Sequence, residues 1–174
     1  RKLVPTFFEK MIWANGDGAG LRVSDTPLGR IGALICGENT NPLARFTLMA
    51  QGEQVHISTY PPAWPTKDPK DGGNYDLAAA IHVRAGAHSF EAKCFNIVAS
   101  GFMDKPMLDA LADLDKDAGR ILDNSPRGVS MVIGPDAEIV GDVISGSEGI
   151  LYADIDVNQC VVPKQFHDVV GGYN

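Results

Sequence analysis

The chain is 174 residues long and 44% hydrophobic, with a net charge of −7 and a pI near 4.9. That is enough apolar material for one well-filled core, and the acidic balance argues against nucleic acid or an anionic membrane as a partner. No apolar run reaches membrane-spanning length, no low-complexity tract interrupts the chain, and no signal-peptide pattern opens it. The three cysteines, Cys36, Cys94 and Cys160, are odd in number and far apart. Such a set points to reduced thiols in a cytoplasmic setting rather than a disulfide framework or a zinc site. The four histidines, His56, His82, His88 and His167, form no pair at metal-ligand spacing. His88 and Glu91 fall three apart on an expected helix, which is a weak basis for a metal site, so no metal is expected.

Residues 1–13 are dense in large apolar side chains, with Lys2 and Glu9 set among them. A free charge in such a segment is costly, so each is expected to have a specific partner, most simply the other. Residues 15–20 (Asn-Gly-Asp-Gly-Ala-Gly) read as a turn, since no strand–loop–helix context makes the glycines a phosphate loop. Strands are expected at 21–24 and 31–35, joined by a compact hairpin-type connection. The second runs directly into Cys36, and Asn41-Pro42 follows as an N-cap and a first-turn proline. Cys36 is therefore expected on the turn between strand and helix, facing the positive end of the helix dipole, a setting that favours a thiolate. A nucleophile and a small buried hydrophobe are both open readings of a lone cysteine there.

The helix from Pro42 carries Leu43, Phe46, Met49 and Ala50 at helical spacing and stops at Gly52. A strand at 54–58 leads into a long proline-rich loop at 60–73, a length typical of lids and binding loops. Tyr60 and Trp64 either line an aromatic pocket there or simply pack the loop. A helix at 76–93, a strand at 95–100, a charged amphipathic helix at 107–122 and a hairpin of 129–133 with 138–144 follow. A strand is expected at 149–156, then a tail that begins helically near Asn158 and ends without a capping signal after Gly171-Gly-Tyr-Asn174. Cys94 and Cys160 read as buried small residues, His56 and His167 as satisfied structural histidines. Arg45 is expected to pair with Glu38 or Glu53. The alternation of strands and helices gives an α/β or mixed α+β layered domain, with one sheet or two left open.

Six segments carry a family resemblance: Arg1-Lys2-Leu3-Val4-Pro5-Thr6 with Glu9 downstream; Gly29 through Cys36-Gly37-Glu38-Asn39; Asn41-Pro42-Leu-Ala-Arg45; residues 49–57; residues 87–93; and residues 166–170. With these the chain resembles the nitrilases, carbon–nitrogen hydrolases built on a Glu–Lys–Cys triad, from end to end. The resemblance implies one carbon–nitrogen hydrolase domain over 1–174 with an αββα sandwich fold, its N-terminal part missing and its C-terminal tail cut short. It implies Cys36 as nucleophile, Lys2 as triad lysine and Glu9 as the second glutamate beside the triad. The triad glutamate itself lies upstream of Lys2 in the family, and Glu9, Glu38 and Glu53 are not at its position. Gly37, through its backbone N–H, with Tyr60 and Trp64, is implied to meet the substrate. The implied substrate is a small organic nitrile, most like an arylacetonitrile, converted to acid and ammonia without metal or organic cofactor. Cyanide hydration, amide hydrolysis and a non-catalytic assembly role are the alternatives. A homo-oligomer, from dimer to spiral or filament, is the implied partner, with neither nucleic acid nor membrane.

Overall fold

The computed structural model describes residues 2–172, so Arg1 of the first motif and the terminal Tyr173-Asn174 lie outside the described residues. Six strands form one mixed sheet in chain order: β1 (Ser24–Thr26), β2 (Gly29–Ile35), β3 (Val55–Tyr60), β4 (Phe95–Ser100), β5 (Val129–Ile133) and β6 (Ile139–Ser145). β2, β3 and β4 are parallel, while β1 and the β5–β6 hairpin add antiparallel margins. Parallel neighbours need crossovers. These are α1 (Pro42–Met49) between β2 and β3, and α2 (Leu77–Ala92) between β3 and β4. Asn41 caps α1 by accepting from the N–H groups of Leu43 and Ala44, and Asp76 caps α2 by accepting from Ala79.

Register decides which side chains the helices cover. Leu34, Ser58, Val98 and Met131 stand in one row across four strands, and Gly32, His56, Asn96 and Ile133 in the next. Both rows face the helices. Leu34 is packed with Ala44 and Leu48 of α1, and Val98, Met131 and Ile133 with Leu77, Ile81 and Ala85 of α2. The opposite face carries Ala33, Ile35, Ile57, Ile97 and Ala99, as apolar as the covered one, yet Ala33, Ile35, Ile97 and Ala99 are open to solvent. Among the described residues the architecture is thus one mixed sheet with α1 and α2 covering one face.

Several expected elements differ. Residues 149–156 form no regular element and pair with no described strand, because an alternating sequence becomes a strand only where a ladder partner exists. The helix expected at 107–122 is two, α3 (Lys105–Leu114) and α4 (Lys116–Asp123). They break at Asp115, whose carboxylate accepts from Asp117 and Ala118 and so caps the second. The first strand shifts to Ser24–Thr26, and the tail forms two short 3-10 turns, Val157–Cys160 and Val162–Gln165. On α1, Leu43 and Phe46 are exposed, and Ala44, Leu48 and Met49 are buried. Arg45 pairs with Glu91 of α2 rather than with Glu38 or Glu53. His167 is exposed, its ring against Phe90 at 5.2 Å. Phe7, Phe8, Met11, Ile12 and Trp13 are all exposed, so their apolar character does not bury the opening segment. None of the described helices is long and apolar enough to cross a membrane.

Candidate active site

Cys36 closes β2 and opens a 3-10 turn, Cys36–Thr40, that separates it from α1. The thiol therefore sits on its own tight turn and not directly on the N-terminus of α1, whose Leu43 and Ala44 N–H groups are taken by Asn41. Its backbone has φ +50°, a left-handed conformation that a non-glycine residue adopts only when its surroundings impose it. Such strain is typical of functional positions. Cys94 is fully buried, and burial pushes its thiol well up; Cys160 is buried too. Only Cys36 of the three is partly open.

A cavity of about 350 Å³ lies at this turn. Lys2, Cys36, Gly37, Tyr60 and Trp64 line it together, so five of the six residues singled out in the sequence converge on one space. The sixth, Glu9, reaches it through Lys2. Lys2 Nζ donates to Glu9 Oε2 and, at 3.0 Å, to the Thr6 hydroxyl. Among the described residues these are its partners, which leaves one of three N–H donors for the cavity. The Lys2 hydrogen bond, joined by the backbone N–H and hydroxyl of Thr6, holds the Glu9 carboxyl down at about 2. The expected Lys2–Glu9 pair is present. Glu38 anchors this segment to the cysteine turn: its carboxylate accepts from the Leu3 N–H and, at 2.9 Å, from the Ile35 N–H.

Tyr60 belongs to β3 and is buried, rather than lying in the loop, and burial pushes its phenol up to about 12. Trp64 comes from the loop, with the Phe7 ring 5.4 Å away. That loop is fastened at Asp68, which accepts two hydrogen bonds from Arg120 of α4, at 3.0 and 2.6 Å. Sequence reasoning missed Tyr75 and Arg84 on the cavity wall; the Arg84 guanidinium lies 5.1 Å over the Tyr60 ring. No local signal marks Arg84, one of several polar residues on an amphipathic helix.

It missed a buried cluster as well. Glu53, His56 and His88 bring ligand-type atoms within 4.8 Å of one another, although no two of them have metal-ligand spacing on a single element. β3 and α2 create the grouping through tertiary contact. Glu53 Oε2 faces His56 Nδ1 at 2.9 Å, Oε1 faces His88 Nε2, and the two rings stack at 3.8 Å. Each carboxylate oxygen already has an imidazole partner, so the set is complementary as a hydrogen-bonded cluster. Burial pushes the Glu53 carboxyl up, but the two imidazoles bonded to it prevail and hold it at about 2. Burial pushes His88 down to about 4, against the pull of Glu53.

Both groups titrate lower in the folded than in the unfolded chain, so each contributes stability at neutral pH that is lost on acidification. The unfolding free energy from urea titrations should fall first between about pH 6.5 and 4, where unfolded His88 takes a proton that the folded state refuses, by roughly 3 kcal/mol. Further loss through Glu53 follows as pH falls from about 4.5 toward 2. In His88→Gln the upper part of this fall should shrink; an unchanged profile would remove His88 as its source.

A layered α/β protein that presents a strained, reachable cysteine beside an ammonium belongs to the class with a candidate thiol nucleophile at the end of a parallel strand. The comparisons with known proteins narrow the class. The family model for carbon–nitrogen hydrolases matches residues 1–164, and the chain belongs to that family. It is 33% identical to a nitrilase of Paraburkholderia phymatum over 99% of the chain and 48% of that protein. With an arylacetonitrilase of Aspergillus niger it shares 31% identity over 100% of the chain and 52% of the relative. The chain thus spans about half the length of the curated relatives it matches. The fold is shared with a carbon–nitrogen hydrolase of Helicobacter pylori (TM-score 0.68, 19% identity, 90% of this chain and 50% of that one). An amidase of Nesterenkonia sp. AN1 also shares it (TM-score 0.61, 15% identity, 92% and 51%); its structure carries the acetamide moiety of fluoroacetamide added covalently at the active-site cysteine.

Proposed function

We propose that the protein hydrolyses an organic nitrile, of the arylacetonitrile kind, to a carboxylic acid and ammonia through a covalent bond to Cys36. The observation that carries this is Cys36 at φ +50°, lining one cavity together with Lys2, Tyr60 and Trp64. Relatives named nitrilase and arylacetonitrilase favour the nitrile, and the cysteine adduct of the amidase that shares the fold supports the covalent route.

The Cys36 thiol gives its proton to a carboxylate. Glu9, Glu38 and Glu53 are each engaged elsewhere, with Lys2, the Leu3 and Ile35 N–H groups, and the imidazoles respectively. The resemblance implies that the base is the family's triad glutamate, which lies upstream of Lys2 in that family. The thiolate adds to the nitrile carbon, a C–S bond forms, and a π pair moves to nitrogen, which is protonated to give a thioimidate. Lys2 and the Gly37 N–H stabilise the developing charge. Water adds, ammonia leaves, and a thioester remains; a second water releases the acid and regenerates the thiol. Aromatic walls suit an aryl group.

Intact mass after incubation with phenylacetonitrile, with ammonia followed in parallel, tests the reading. A transient adduct mapped to Cys36 together with ammonia is expected. Turnover of phenylacetamide or cyanide with none of the aryl nitrile would overturn the substrate assignment. A folded protein with neither adduct nor ammonia would overturn the activity.

A further inference from the structure

The left-handed backbone at Cys36 needs something to hold it, and the buried polar row of the sheet lies directly below. Asn39, in the same 3-10 turn, is buried. Its Nδ2 donates to the carbonyls of Leu34 and Cys36, both at 3.2 Å, one on each side of the strand end. Its Oδ1 accepts from His56 Nε2 at 3.0 Å and from the Ser58 hydroxyl at 3.1 Å. The two carbonyls fix the sense of the amide, because only the NH₂ end can face them. His56 must then keep a hydrogen on Nε2, and its Nδ1 is directed to Glu53, which His88 holds from the other side. The links from α2 through Glu53 and His56 to Asn39 are buried hydrogen bonds, and the last, from Asn39 to the Cys36 carbonyl, is part-buried.

We propose that Asn39 is the positioning residue for Cys36, a strut that clamps the Leu34 and Cys36 carbonyls, and that the Glu53–His56–His88 cluster orients its amide. The inference rests on the reading of Cys36 as nucleophile and adds how its geometry is maintained. Losing the clamp releases the residue from φ +50° toward ordinary backbone, which changes the position of the thiol relative to Lys2. A buried hydrogen-bonded network favours one conformation, and stripping a partner from a buried polar group in it costs more than the average hydrogen bond.

Two substitutions at His56 isolate the strut. A glutamine amide nitrogen stands near the place of Nε2 and can still donate to Asn39; an asparagine nitrogen stands near Nδ1 and cannot. Asn39→Asp removes both donors to the carbonyls at constant size. The readouts are the rate of Cys36 alkylation by iodoacetamide, mapped by peptide mass, and kcat and KM on phenylacetonitrile, with unfolding midpoints as the folding control. Asn39→Asp should slow alkylation and lower kcat by roughly ten- to a hundredfold, with KM changed less than about threefold. His56→Gln should retain at least about tenfold more of both rates than His56→Asn. Folded Asn39→Asp with wild-type alkylation, or equal rates in the two His56 variants, would overturn the proposal. If Asn39→Asp does not fold, the His56 pair decides. Alkylation that follows these expectations in a protein without nitrile turnover would leave the strut standing and the nitrilase reading fallen. The reverse result would separate them the other way.

Discussion

Cys36→Ala is expected to lower nitrile turnover by at least about 10⁴-fold, because no second nucleophile can take over the covalent step. Cys94 and Cys160 are buried away from the cavity, and no other described residue on its wall combines a nucleophilic atom with this strained turn. The fold should not notice. Cys36 is only partly buried, and its side chain touches the edge of the α2 core rather than filling it. The expected stability change is within about 1 kcal/mol. Cys36→Ser is the stricter comparison, since it keeps the shape and replaces a thiol by a hydroxyl that is far harder to ionise. Steady-state ammonia release, with the urea midpoint measured on the same preparations, checks both halves. Turnover persisting in a folded Cys36→Ala would remove the covalent mechanism altogether.

The largest effect on stability is expected at a glycine. A β-carbon on Gly32 would overlap Glu53 Oε2 far inside contact distance, and Glu53 is fully buried with both oxygens committed to imidazoles. Gly32→Ala must displace either the strand or the carboxylate. Displacing the carboxylate strips partners from two buried histidines, so a loss of about 3 kcal/mol or more is expected. For a domain of this size that corresponds to a fall in Tm of roughly 10 °C. Gly37→Ala is the matched control: its added β-carbon meets nothing within 4 Å, and stability should move by less than about 0.5 kcal/mol. Thermal and urea unfolding of the two variants side by side make the comparison, and equal midpoints would mean that the Glu53 cluster relaxes at no cost.

These two positions also show where local sequence stops being informative. Cys36 stood out because a short apolar strand running into a cysteine, followed by Asn41-Pro42, has a one-dimensional signature of elbow and cap. The strand, the cap and the proline position are all found in the fold. Gly32 carried no such signature. Its need to be glycine comes from Glu53, which approaches from beyond α1. Arg45 illustrates the same limit: a charge in sequence demands a partner, but which of several glutamates answers is set by how α1 meets α2.

By itself the sequence determined the element types through most of the chain, because periodicity and caps are local properties, and its contiguous motifs carried the resemblance to the family that pointed to Lys2, Cys36 and Gly37; it left Tyr60 and Trp64 between pocket and loop packing. Only the tertiary structure decided that residues 149–156 find no ladder partner and that Asp115 divides one expected helix into two. It alone brought Glu53, His56 and His88 beneath the Cys36 turn. Hydrogen-bond partners far apart in the chain follow from strand register and helix placement, and neither has a signature within any single stretch of residues.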